Sequence, residues 1–122
     1  LCLSFIVCSC SPAKQDDLYG TYIAEYDVAK EKLILNEDGT FMQEVTLKST
    51  SKVDIARGTW TYRQESGYIT FDKNFIVVLD GFGKLRSDYA RPRSGLVGLP
   101  AICFLNSIEI GSHEGVLYKK RR

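Results

Sequence analysis

The chain has 122 residues, with 16 basic and 15 acidic side chains and a formal net charge of +1. That length suits one domain of ordinary size with a single core. Hydrophobic and charged fractions of 44% and 25% exclude disordered and fibrous classes, and the near-zero net charge argues against a nucleic-acid partner.

Residues 1–9, Leu-Cys-Leu-Ser-Phe-Ile-Val-Cys-Ser, carry no charge, whereas charges recur every few residues from Lys14 onward. An apolar run this short falls below the roughly 20 residues of a membrane-spanning helix, but it suits the apolar region of a secretory signal. Its end, Val7-Cys8-Ser9-Cys10, resembles the lipobox of bacterial lipoproteins: an aliphatic residue, two small residues and the cysteine that is lipidated. The resemblance implies that Cys10 carries a diacylglyceryl group on its sulfur and becomes the first mature residue. Cys8 fits less well, because bulky Val7 would precede the cleaved bond. Ser11, in place of an aspartate, implies sorting to the outer membrane, facing the periplasm. Residues 1–9 then read as the remnant of a signal, 10–17 as lipidated cysteine and polar tether, and 18–122 as a single β domain. The partner this implies is a membrane, held through the N-terminal lipid.

The cysteines follow suit. Cys2 and Cys8 would leave with the signal and Cys10 would carry lipid, so only Cys103 remains in the body. Within Ile102-Cys103-Phe104-Leu105 it reads as a small buried hydrophobe, and no disulfide framework is expected.

From residue 18 the pattern alternates with period two, which predicts strands with one packed and one wetter face. Tyr22, Ala24 and Tyr26 share a face, as do Leu33 and Leu35, then Phe41, Val45 and Leu47, then Trp60 and Tyr62, then Ile69 and Phe71. Asn36-Glu37-Asp38-Gly39 and Gln64-Glu65-Ser66-Gly67 read as hairpin turns closed by glycine; Asp80-Gly81 and the stretch 111–115 mark two more. About eight strands result, an all-β antiparallel meander forming a small barrel; a β-sandwich would show the same hairpins.

Leu18-Tyr19-Gly20-Thr21-Tyr22, the hairpin from Leu33 to Phe41 with its Asp38-Gly39-Thr40-Phe41, and Gly58-Thr59-Trp60 are similar to the small lipocalin-like domains of bacterial lipoproteins. The similarity covers roughly residues 18–72 and rests on short structural motifs. It implies a lipocalin-like barrel, with a carrier of a small apolar or anionic ligand as one expectation.

Residues that carry chemistry are few. His113 is the single histidine, so a histidine metal cluster is out of reach; no catalytic residues, metal or cofactor are expected. An enzyme would need Asp88, Glu109 and His113 assembled in one pocket. The most irregular stretch is 82–100, rich in glycine, broken by Pro92 and Pro100, and bearing Lys84, Arg86, Arg91 and Arg93 against Asp88. Arg91 and Arg93 beside Tyr89 could grip a carboxylate or phosphate through their guanidinium forks, and Trp60 is a further ligand-binding candidate. The aromatics Tyr22, Tyr26, Phe41, Trp60, Tyr62 and Phe71 either fill the barrel or line a cavity. The basic tail Lys119-Lys120-Arg121-Arg122 could touch anionic head groups. The leading expectation is a non-enzymatic interaction or structural module of the cell envelope, with an envelope protein or a small ligand as its partner.

Overall fold

The computed structural model describes residues 13–80, 82–89, 95–111 and 115–121. One helical turn, α1 (Gln15–Leu18), precedes β1 (Gly20–Glu25), β2 (Ala29–Leu35), β3 (Thr40–Leu47), β4 (Val53–Arg63), β5 (Tyr68–Phe71), β6 (Val97–Cys103), β7 (Ser107–Gly111) and β8 (Leu117–Arg121). Each strand pairs antiparallel with its sequence neighbour, and β8 returns to β1 through Ile23 and Lys119, so the eight-stranded meander closes into a barrel. Closure removes the exposed edges that a sandwich of the same hairpins would keep.

Alternation places the predicted faces. Tyr22 and Ala24 of β1, Leu33 and Leu35 of β2, Phe41, Val45 and Leu47 of β3, and Ile69 and Phe71 of β5 are buried, as are Ile108, Ile110 and Tyr118 of the last hairpin. Tyr26 and Tyr62 are partly buried against this core. Cys103 is buried with a free thiol.

The first hairpin turn follows from its residues. Asp38 accepts hydrogen bonds from the Thr40 backbone N–H and hydroxyl, and Gly39 takes φ +88°, a conformation that side-chain-bearing residues resist. Gly58 has a different reason. A Cβ there would lie 2.4 Å from the Asp72 carboxylate, which accepts the Thr59 N–H at 2.8 Å. The Gly-Thr-Trp motif thus admits the chain that leaves β5 to lie close against β4.

Pro100, expected to interrupt strand structure, instead lies inside β6. The N–H of Ala101 points to the β5 side, donating to Gly67 at 2.8 Å, so position 100 faces β7. There the β6–β7 pairing ends at Ala101 and Ile110, and a strand tolerates proline where no ladder bond is required.

An up-and-down meander gives the barrel two distinct ends. The chain enters β1 at the end that also holds the β2–β3, β4–β5 and β6–β7 turns and the end of β8. Here α1 packs across the mouth: Tyr22 donates its hydroxyl hydrogen to the Leu18 carbonyl at 2.8 Å, Tyr62 donates to the Ala13 carbonyl, and Lys120 donates to the carbonyls of Asp17 and Tyr19. Ala13 and Leu18 are buried. Residues 13–17, read from sequence as part of a tether, are therefore folded against the barrel. The residues before them, with Cys10 and the stretch read as resembling a lipobox, lie outside the described residues.

Candidate functional site

The opposite end is covered by the connection from β5 to β6. After Asp72 the chain turns inward. Phe75, Ile76, Val78 and Leu79 are buried, with Phe75 stacked 4.3 Å from Phe71 and within 6.2 Å of Phe41 and Tyr118 between ring centroids. Beyond it Arg86 donates to the Val77 carbonyl at 2.9 Å and pairs with Asp88 at 3.0 Å. Both of these charges are thus engaged by the crossover's own structure.

Beneath this crossover lies a buried polar cluster. β2 and β3 point mostly apolar residues inward, yet each contributes one polar side chain to that face: Glu31 and Gln43, both buried. Gln43 binds the Ile76 backbone twice, donating to its carbonyl at 2.8 Å and accepting its N–H at 2.7 Å, as a neighbouring strand would. Its amide also donates to Glu31 at 2.8 Å. Tyr26 and Tyr118 donate to the same carboxylate, one to each oxygen. Every polar atom is partnered, which buried polar groups require.

Burial pushes the Glu31 carboxyl above the usual glutamate range, opposed by the hydrogen bonds from Tyr118, Tyr26 and Gln43. Among the described residues no cation pairs with it. Burial likewise raises the Tyr26 and Tyr118 hydroxyls, and the neighbouring Glu31 charge raises them further. Because the folded-state value for Glu31 lies above the unfolded one, its stabilising contribution is full at pH below the unfolded value and is lost as pH rises through the raised one. Replacing it with glutamine removes that titration. The stability of the parent chain relative to Glu31→Gln should therefore fall with rising pH above the ordinary glutamate range and then level off. Urea denaturation of both proteins across pH measures this; a pH-independent difference would refute it.

Of the ligand-site residues nominated from sequence, Tyr89 and Trp60 fall among the described residues, and they lie apart. Tyr89 is buried and donates its hydroxyl hydrogen to Asp54 at the start of β4; burial foremost, then the hydrogen bond and charge of Asp54, pushes it up to about 12. Trp60 is buried at the other end, its indole N–H donating to the Asn36 carbonyl at 3.1 Å and its ring edge-on to Tyr19. Asp54 and Trp60 stand six residues apart on one strand, about 20 Å, so Tyr89 and Trp60 belong to opposite ends. Arg91, Arg93 and His113 lie outside the described residues. Asp88 is held by Arg86 in the crossover, and Glu109 pairs with Lys119 at 3.5 Å on the outer face of β7. Among the described residues no three histidine, cysteine or acidic side chains are grouped to hold a metal ion.

What sequence reading missed is Glu31 with Gln43, and the whole of Phe75–Leu79. The available signal was positional: Glu31 shares its alternation face with Leu33 and Leu35, and Gln43 with Phe41 and Val45.

Space beside the crossover is small. A cavity of about 40 Å³ is bordered by Phe75, Ile76, Val78, Leu99 and Tyr118, far below the several hundred Å³ of ordinary ligand pockets. No protein-family model, curated protein or solved structure matches the chain.

Proposed function

We propose that the chain is an envelope-anchored lipoprotein whose small lipocalin-like barrel is a non-enzymatic interaction module working through its outer surface. The observation that carries this reading is the filled interior: Phe75 from the crossover and the inward rings of Phe41 and Phe71 occupy the space where a carrier would keep a ligand. A barrel so packed recognises partners with its walls and turns. Anchoring rests on Val7-Cys8-Ser9-Cys10, and the described N-terminal residues leave the barrel at one defined end.

Two measurements test the two halves of the proposal. Expression in a bacterial host fed radiolabelled palmitate should label the chain, and Cys10→Ser should abolish the label; equal labelling of both refutes anchoring at Cys10. Crosslinking in intact envelopes followed by affinity capture should recover one specific protein or glycan. Native mass spectrometry of the gently purified chain that shows a reproducible extra mass, lost on denaturation and independent of Cys10, would replace the module with a carrier of a small apolar or anionic ligand.

A further inference from the structure

The end of the barrel where α1 packs is not uniform around its rim. On one side the β6–β7 hairpin tip places Phe104 and Leu105 next to each other, 39% and 76% exposed. The wall that continues from this tip, β6 through β8 to β1, carries further exposed apolar residues: Ile102, Leu117 and Ile23. Pairing sets Ile102, Glu109, Lys119 and Ile23 in one row across that wall, with Ser107 beside Arg121 below it. An open groove of about 720 Å³ runs along β8 between Ile23, Leu117, Lys119 and Arg121.

Charge on this wall is lopsided. Its two acids are already engaged, Glu109 by Lys119 and Glu25 by Lys48. Arg121 is exposed and has no ion-pair partner among the described residues. The acidic turns, with Glu37 and Asp38 between β2 and β3 and Glu65 between β4 and β5, sit elsewhere on the rim, the first of them diametrically across the barrel from the Phe104–Leu105 tip. One sector thus combines projecting apolar side chains with the cation Arg121, unpaired among the described residues; Asp16 and Asp17 of α1 lie at the same end beside β8, and the facing turn is acidic.

We propose that this sector docks on an anionic bilayer surface: Phe104 and Leu105 enter the head-group boundary, Arg121 meets lipid phosphates, and the acidic Glu37–Asp38 turn tilts away. Burial of exposed apolar side chains and attraction of cations to anionic lipid are the two terms that hold a protein at a membrane interface. The orientation rests on the anchored reading above, since a lipid at Cys10 tethers this same end. A single contact of this kind is weak, and anchoring raises its effective concentration.

The test uses the full chain carrying Cys10→Ser, so that it does not depend on lipidation. Trp60 is the only native tryptophan and is buried, which provides a constant baseline. Leu105→Trp places a second indole at the tip; Val53→Trp, half-exposed at the far end of β4, is the control. With phosphatidylglycerol-containing phosphatidylcholine vesicles bearing brominated acyl chains, the tip indole should be quenched and the Val53 position should not. Arg121→Ala should weaken sedimentation with these vesicles about fivefold, and plain phosphatidylcholine should bind less. Equal quenching at both positions, including binding driven by residues 1–9 alone, overturns the proposal. So does an absence of vesicle binding. A parent chain that takes up no palmitate would overturn the anchor while leaving this result readable.

Discussion

Replacing Phe75 with alanine is expected to lower the free energy of unfolding by about 3–5 kcal/mol, the usual cost of emptying a buried aromatic site. Phe75 is not a strand residue, yet its ring lies against Phe71, Phe41 and Tyr118 in the middle of the barrel. Strands fixed by hydrogen-bonded ladders on both sides cannot collapse onto the void, so little of the loss is recovered by relaxation. Phe82, 90% exposed on the same crossover, serves as the control: Phe82→Ala should change stability by less than about 0.5 kcal/mol. Denaturant midpoints for the two variants measure this directly. Equal, small shifts would mean that the crossover does not occupy the interior.

Gln43→Leu is expected to cost about 2–5 kcal/mol, although leucine is apolar and of similar size. The substitution strands three buried groups at once: the N–H and carbonyl of Ile76 and one acceptor position on Glu31. An unpartnered buried polar group costs about 1–3 kcal/mol, and the chain can recover part of that by letting water reach the crossover. The readout that separates this from simple core damage is local. Amide exchange at Ile76 and its neighbours should accelerate more than exchange in β2 and β3, because Gln43 is what ties the crossover to the barrel wall. Uniform acceleration throughout the barrel would show that Gln43 stabilises the strands and not the crossover.

Strand residues were legible before any coordinates because side-chain direction alternates along a strand, and residues such as Leu33, Phe41 and Ile69 declare their face by spacing alone. The turn at Asn36–Gly39 was legible for the same local reason: the adjacent Asp38 and Gly39 favour one tight backbone path. The Glu31–Gln43 cluster was not legible. A glutamate between two lysines in Lys30-Glu31-Lys32 reads as one member of a solvated charge run, and what buries it is the pairing of β2 with β3 and the arrival of Ile76 and Tyr118 from far along the chain. Two of the ligand-site candidates, Trp60 and Tyr89, lie apart for a similar reason: both are aromatic and both buried, but the crossover carries Tyr89 to Asp54 and leaves Trp60 at the α1 end.

By itself the amino-acid sequence determined the all-β class, about eight strands, the hairpin turns at Asn36–Gly39 and Gln64–Gly67 and the inward apolar residues of the strands, since all of these depend on neighbours within a few positions. Tertiary structure decided what the barrel contains and which of its ends is which. Closure between β8 and β1, the insertion of Phe75, the burial of Glu31 against Gln43 and Tyr118, and the gathering of Phe104, Leu105 and Arg121 on the rim beside α1 all join residues distant in sequence. Such contacts are set by the curvature of the closed sheet and by the volume left inside it, quantities that no local pattern encodes.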